Sequence, residues 1–261
     1  MKEYATLLTS ADNGVLTIVM NRPGVYNAVN EQMKKDLLGV FRDAEQEQAV
    51  RSIVLRGAGD RAFCSGQDLK EHAGSRRSLR DSLERSYNPL IRTMRTIEKP
   101  VIGMINGIAA GAGCSIALAC DLRIMVSTAK LTEVFVRIGL VPDTGSHWIL
   151  PRLVGMTRAF EYMATGRDIS AEEAERVGLV NRAVPPELLE QETMTLATSL
   201  ASAPTRAIGL IKRTLNRALT LDLDALLSYE ARIQEIAART EDHREGLRAF
   251  LEKRAPRFTG R

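Results

Sequence analysis

Two short runs of small residues offer chemistry from the main chain. Ala62-Phe-Cys-Ser-Gly-Gln-Asp-Leu69 and Asn106-Gly-Ile-Ala-Ala-Gly-Ala-Gly-Cys114 each follow an apolar stretch that reads as a strand. Glycine and alanine let a ligand approach the backbone closely. The second run leads into Ser115-Ile-Ala-Leu-Ala119, a helix start whose free N–H groups and dipole favour negative charge. One N–H from each run could form an oxyanion hole, which stabilises charge developing on a carbonyl oxygen. The alternative is that the small residues only let a helix pack close to a sheet. Neither run fits the Gly-x-Gly-x-x-Gly fingerprint or the Walker lysine motif of nucleotide sites.

Three other groupings could do chemistry. Ser115, in Gly113-Cys-Ser-Ile-Ala117, is one glycine short of a nucleophile elbow, with Asp143 and His243 following in triad order, the pattern of a hydrolase. Asp143, in Val141-Pro-Asp-Thr-Gly145, is in isolation a turn or helix-cap residue. Lys212, Arg213 and Arg217, with Lys253, Arg254, Arg257 and Arg261 further on, could bind phosphates or simply form a solvated face.

The composition excludes several classes. The 261 residues carry 36 Lys plus Arg, 32 Asp plus Glu and 44% hydrophobic residues, which suits one large globular domain or one with a helical appendage. The net charge of +4 permits an anionic small ligand, and nucleic acid is not expected as a partner. Cys64, Cys114 and Cys120 have neither the even count of a disulfide framework nor zinc-site spacing, and His72, His147 and His243 form no His-x-x-x-His pair, so no metal is expected. The uncharged run Pro100–Cys120 is long enough to span a bilayer, but its proline, asparagine and glycines fit a buried strand and tight turn better. Residues 1–5 lack the apolar core of a signal peptide, so a cytoplasmic location is expected.

These groups need a scaffold, and hydrophobic periodicity supplies one. Val15–Met20 reads as a strand, Asn30 as the cap of a helix striped by Met33, Leu37, Val40, Phe41 and Ala44, and Ser52–Arg56 as the next strand. Leu79, Leu83, Tyr87, Leu90, Ile91, Met94 and Ile97 share one helix face before Pro100 and a buried strand at Val101–Ile105. A short helix and a strand, Leu122–Val126, follow the glycine run. Ser170-Ala-Glu-Glu173 reads as a reciprocal capping box and Gly178 as that helix's end. From Pro204 onward the chain reads as helices whose apolar stripes, including Ile208, Ile211 and Leu215, need something to pack on.

Several pieces then occur together: Asn21-Arg-Pro with Asn27-Ala28, Phe63-Cys-Ser-Gly-Gln-Asp-Leu69, Lys99-Pro-Val-Ile with Asn106-Gly, and Gly139-Leu-Val-Pro-Asp143. Thr165-Gly-Arg-Asp-Ile-Ser-Ala-Glu-Glu-Ala174 with Gly178-Leu-Val, and Arg244-Glu-Gly-Leu-Arg-Ala-Phe-Leu-Glu-Lys-Arg254, complete the set. In order and spacing, over essentially the whole chain, they resemble the enoyl-CoA hydratase/isomerase (crotonase) superfamily. The resemblance implies an α/β fold, a ClpP/crotonase-like spiral of repeated β-β-α units over residues 1–200, with a helical region over 201–261 that builds trimers, often paired as hexamers. It implies an acyl-CoA thioester as substrate, coenzyme A being part of that substrate and no cofactor being needed. The backbone N–H groups of Gln67 and Ala112 match the family's oxyanion hole. The resemblance also implies that Ala62, Cys64, Ser65, Gly66, Asp68, Leu69, Gly111, Phe135 and Trp148 bind the substrate.

The resemblance also narrows the reaction. Family hydratases use two glutamates, and the matching positions here are Ser115 and Phe135, so paired-carboxylate addition of water loses its machinery. Asp143 stands where family isomerases carry an acid/base carboxylate, and Phe135, Ile138, Leu140 and Trp148 could supply the apolar setting that raises its pKa. Tyr87-Asn-Pro-Leu90, Gly107–Gly113, Leu210-Ile-Lys212 and Arg254-Ala-Pro-Arg-Phe-Thr-Gly260 resemble the branch that isomerises ring-epoxide acyl-CoA thioesters. Such isomerases also shift β,γ double bonds to the α,β position. Gly145-Ser-His-Trp148 departs from that branch's Gly-Gly-Thr-Trp, and His147 could tune Asp143, act as a second acid/base group, cap the adjacent helix or lie at the surface. A dehalogenase branch has a histidine at the place of Asn88, which argues against its chemistry here. A hydratase, or a non-catalytic CoA- or RNA-binding member, is the remaining alternative.

Overall fold

A computed structural model describes residues 2–73 and 78–261. β1 (Leu7–Asp12) and β2 (Val15–Met20) form a hairpin, and α1 (Glu31–Gln46) carries the chain back to β3 (Ser52–Gly57), parallel to β2. This is the expected β-α-β unit. The Asn30 side chain accepts the Met33 N–H at 2.9 Å, capping α1, and the stripe from Met33 to Ala44 is fully buried.

From β3 onward each pass of the chain gives one strand to each of two sheets. β3 is followed by β4 (Ala62–Cys64), then α2 (Leu69–Ala73), α3 (Leu79–Ser82) and α4 (Asn88–Thr96). The next pass is β5 (Val101–Ile105), β6 (Ile108–Ala110) and α5 (Ala112–Ala119), and the third is β7 (Leu122–Val126), β8 (Lys130–Thr132) and α6 (Ser146–Thr165). β9 (Ile169–Ser170), α7 (Ala171–Arg176) and β10 (Arg182–Val184) close the spiral. The large sheet runs β1-β2-β3-β5-β7-β10 and the small one β4-β6-β8-β9. The uncharged run is thus β5, β6 and α5, and among the described residues no helix is long and apolar enough to cross a membrane.

Two asparagines from the recognised motifs hold the corners between the sheets. Asn106 accepts the Gly57 N–H at 2.9 Å and donates to the carbonyls of Gly57 and Gly59 at 3.0 and 2.7 Å. Asn27 donates to Ala58 and Ala62 and accepts the Arg22 N–H. Each satisfies buried backbone groups where the chain leaves one sheet for the other.

Two local expectations need correction. The helix read across Leu79–Ile97 is interrupted by a π-helical turn, Leu83–Tyr87, immediately before α4. Pro89, with no N–H and a ring that crowds the carbonyl four residues back, is the physical reason. The capping box of α7 is one-sided. Ser170 accepts the Glu173 N–H, but the Glu173 carboxylate is held by Arg167 at 2.7 and 2.8 Å and by Tyr162 at 3.0 Å.

α8 (Leu189–Ser202) packs across β3, β5 and β7, and α9 (Thr205–Ala218), α10 (Leu223–Ala238) and α11 (Glu241–Leu251) follow it. α9 is anchored by the buried Lys212, whose ammonium meets Asp121 at 2.7 Å and the Met94 carbonyl at 2.7 Å. Its other face leaves Ile211 and Leu215 exposed. We expect Asp121→Asn to destabilise the fold by about 3–5 kcal/mol in urea unfolding, because it strands a buried cation. Asp121→Asn with Lys212→Met should recover most of that loss.

Candidate active site

The first run of small residues is shaped by its contact with the Asn21–Asn30 segment. Val29 accepts the Asp68 N–H at 3.0 Å and donates to the Gly66 carbonyl at 2.7 Å, forming a parallel bridge around Gln67. That pairing consumes its neighbours' groups, so Gln67's own N–H faces away from Val29. Arg22 braces the same turn, reaching Asp68 at 2.9 Å and the Ala28 carbonyl at 2.6 Å.

The second run supplies Ala112 as the first residue of α5, one turn earlier than the helix start read from sequence. Its N–H belongs to the first turn, which has no intrahelical acceptor. Two glycines bring the runs together. A Cβ on Gly66 (φ +95°) would lie 2.7 Å from the Ala110 carbonyl oxygen, and one on Gly113 would lie 2.1 Å from that of Cys64. Only hydrogen fits at either place, and the result is that Gln67 and Ala112 open on one cleft.

That cleft, about 110 Å³, is lined by Ser65, Gly66, Gln67, Leu69, Gly111, Ala112, Phe135 and Asp143 from the sequence reading. Leu79, Ser82, Leu83, Tyr87, Val134, Ile138 and Leu140 complete it. Four expected members lie elsewhere. Ala62 and Cys64 are buried under the turn, where burial pushes the Cys64 thiol up to about 12. Asp68 is committed to Arg22, and Trp148 packs on the core with Arg152 stacked on its ring. These four shape the walls from outside the cleft. Of the four apolar residues expected around Asp143, Phe135, Ile138 and Leu140 line the cleft with it and Trp148 does not.

Asp143 is half-buried, and that burial raises its pKa above the usual carboxylate range. The Thr144 hydroxyl, 2.6 Å away, and the charges of Lys34 and His147 pull in the opposite direction. Tyr87, opposite, donates to the Gln67 side chain at 2.7 Å, and the buried Lys34 ammonium sits 4.7 Å from its ring centroid. The sequence reading placed Tyr87 on a helix face but not in the site. Its position depends on the π-helical turn ahead of Pro89.

Other candidates resolve differently. Ser115 is fully buried, its Oγ 2.8 Å from Ser146 Oγ and within reach of the Asp143 main-chain carbonyl. Among the described residues no histidine is hydrogen-bonded to it, so the Ser115-Asp143-His243 triad is not assembled. His147 is exposed in the first turn of α6. Of the proposed phosphate binders, Lys212 is buried against Asp121, Arg213 pairs with Glu98, and Arg254 pairs with Glu245 and Glu252.

Known proteins resemble this chain over nearly its whole length. Residues 10–261 match the family model described as enoyl-CoA hydratase/isomerase. The chain is 41% identical over 259 residues to the 1,2-epoxyphenylacetyl-CoA isomerase of Escherichia coli K12, covering 98% of each chain. It is 42% identical over 258 residues to a Rhodobacter capsulatus protein named "Probable enoyl-CoA hydratase", covering 99% of each. The crystal structure of an enoyl-CoA hydratase from Bacillus anthracis superposes with a TM-score of 0.91 at 35% identity, over 98% of this chain and 100% of that one. With the same α/β spiral and a match over nearly all its length, the chain belongs to the enoyl-CoA hydratase/isomerase family.

Proposed function

We propose that the protein is an acyl-CoA isomerase acting on β,γ-unsaturated or ring-epoxide thioesters, without a cofactor. The observation that carries this reading is the cleft itself. Asp143 is the acidic residue among the described residues that line it, together with Gln67 and Ala112. The two positions matching the hydratase glutamates hold Phe135, which is apolar, and Ser115, which is buried behind the cleft.

The chemistry follows from this set. An α-hydrogen of a thioester is weakly acidic, so its removal depends on stabilising the enolate oxygen. Two fixed N–H donors do that in a largely apolar cleft, where losing one such donor typically costs about 2.7–4 kcal/mol in the barrier. Asp143 takes the proton from the α-carbon, leaving a dienolate, and returns it to the γ-carbon. The proton balance closes on one carboxylate. A pKa above the ordinary value, caused by burial, makes the Asp143 carboxylate a stronger base. At about 110 Å³ the cleft is smaller than the roughly 300–1,000 Å³ of sites that enclose a whole small molecule. It suits the reacting end of a longer ligand such as an acyl-CoA. The exposed apolar side chains of α9 to α11, including Ile211, Leu215, Leu227 and Phe250, support packing of these helices between subunits, as in a trimer.

The test is turnover of a β,γ-enoyl-CoA and of a ring-epoxide acyl-CoA beside hydration of crotonyl-CoA. Isomerisation should outpace hydration. Rapid hydration of crotonyl-CoA with no isomerisation would overturn the proposal in favour of a hydratase.

A further inference from the structure

One buried carboxyl takes no part in the proton transfer just described. Glu133 follows β8, is fully buried, and has its Oε1 2.8 Å from Ser146 Oγ, while its Oε2 has no hydrogen-bond partner among the described residues. Ser146 Oγ lies 2.8 Å from Ser115 Oγ, which reaches the main-chain carbonyls of Gly111 at 3.2 Å and Asp143 at 3.3 Å. We propose that Glu133 is a positioning residue for Asp143, its proton deciding, through Ser146 and Ser115, whether the Asp143 carbonyl receives a second hydrogen bond. This rests on the isomerase reading.

The hydrogens settle the two states. Each hydroxyl has one proton to donate, and an ionised carboxylate can only accept. With Glu133 ionised, Ser146 donates to it and Ser115 donates to Ser146. The Asp143 carbonyl then keeps only the Ser146 N–H, at 3.0 Å. With Glu133 protonated, the order reverses: Glu133 donates to Ser146, Ser146 to Ser115, and Ser115 is free to donate to Asp143. The Gly111 and Asp143 carbonyls, each already accepting one main-chain N–H, then share the Ser115 proton at 3.2 and 3.3 Å, whereas in the ionised state neither receives it. The loop carrying the acid/base group is therefore clamped in one state and loose in the other.

The surroundings make both states accessible. The Cys114 thiol of α5 and the Asp143 carboxylate ahead of α6 are the titratable groups that face Glu133. Burial and the Asp143 charge push its pKa up to about 7, against the pull of the Ser146 hydrogen bond and the neighbouring Cys114 thiol. Charge and clamp act in opposite directions on Asp143. An ionised Glu133 strengthens Asp143 as a base through space, which would hold or raise kcat as pH rises. Loss of the clamp lowers it.

The test is the pH profile of kcat for β,γ-enoyl-CoA isomerisation by wild type, Glu133→Gln and Ser115→Ala. Wild type should lose about threefold to tenfold between pH 6 and 8.5, the value of one ordinary hydrogen bond. Glu133→Gln stays neutral and can still donate to Ser146, so its kcat should vary less than about twofold over that range, near the low-pH wild-type rate. Ser115→Ala keeps the charge but not the clamp, so its kcat should hold or rise with pH toward the high-pH wild-type rate. A wild-type fall that persists in both variants, or a uniform drop in Glu133→Gln at every pH, would overturn the proposal. The carboxyl ¹³C signal of Asp143, identified by its loss in Asp143→Asn, decides the same question without turnover. An inflection near pH 7 that weakens in Ser115→Ala supports the clamp, and one unchanged in Ser115→Ala leaves charge alone and refutes it. A wild type that turns over neither thioester refutes the isomerase reading only, since the carboxyl titration still decides the clamp.

Discussion

Asp143→Asn is expected to lower kcat for isomerisation by roughly 10²–10⁴-fold, the range for loss of a positioned acid/base group. KM should change little, because the N–H pair and the apolar walls that bind the thioester are untouched. The side chains are nearly isosteric, and the amide of the variant would keep an acceptor for the Thr144 hydroxyl. Stability should move the other way. The folded-state pKa of Asp143 is raised, so the folded protein holds this proton more tightly than the unfolded chain does. The ionised carboxylate therefore costs stability once pH rises through the folded-state pKa, and the cost vanishes below the ordinary carboxylate range. At neutral pH Asp143→Asn should melt at the wild-type temperature or above, and the difference should disappear in acid. A less active, equally or more stable variant is the usual mark of a site held under electrostatic strain.

Gly113→Ala is expected to have the second large effect, with no chemical group removed. The added Cβ would meet the Cys64 carbonyl oxygen at 2.1 Å, its carbon at 2.7 Å and the Cys64 Cβ at 2.8 Å. Main-chain atoms cannot rotate aside, so α5 and the turn after β4 must separate. That separation draws apart the two N–H donors. Misplacing one should cost about 10²–10³ in kcat, and the overpacking should cost roughly 1–3 kcal/mol of stability. Kinetics normalised to the folded fraction, with thermal melting alongside, separates these effects. A folded Gly113→Ala enzyme with wild-type kcat would mean that the spacing of the two runs is not what sets the oxyanion site.

Much of this was readable from the chain because the signals are local. The stripe from Met33 to Ala44, the apolar strands Val15–Met20 and Val101–Ile105, and the two glycine runs each declare themselves within a few residues. The small sheet does not, since β4, β6, β8 and β9 are two or three residues long, too short to show a period of two. β1 was missed for a related reason: at the sheet edge it is mostly exposed, with Leu7 its buried residue, so it has no strong alternation. The outline of the site, Gln67 and Ala112 with Asp143, depended on motif order, whereas its finer membership depended on tertiary closure. Trp148 follows the acid/base loop in sequence yet turns toward the core. Lys212 looks like a surface cation on a basic helix but lies buried beside Asp121, and Glu133 becomes visible only when α5 and α6 bring Ser115 and Ser146 against it.

In the proposed mechanism one carboxylate, Asp143, moves the α-hydrogen of a thioester held by two backbone N–H groups. This transfer is tested most directly with a β,γ-enoyl-CoA deuterated at the α-carbon, following label leaving that carbon, whether to the γ-carbon or to solvent. Wild type should release the label with each turnover, and Asp143→Asn should release it at least about 10²-fold more slowly at equal thioester occupancy. Release at the wild-type rate by Asp143→Asn would contradict the account.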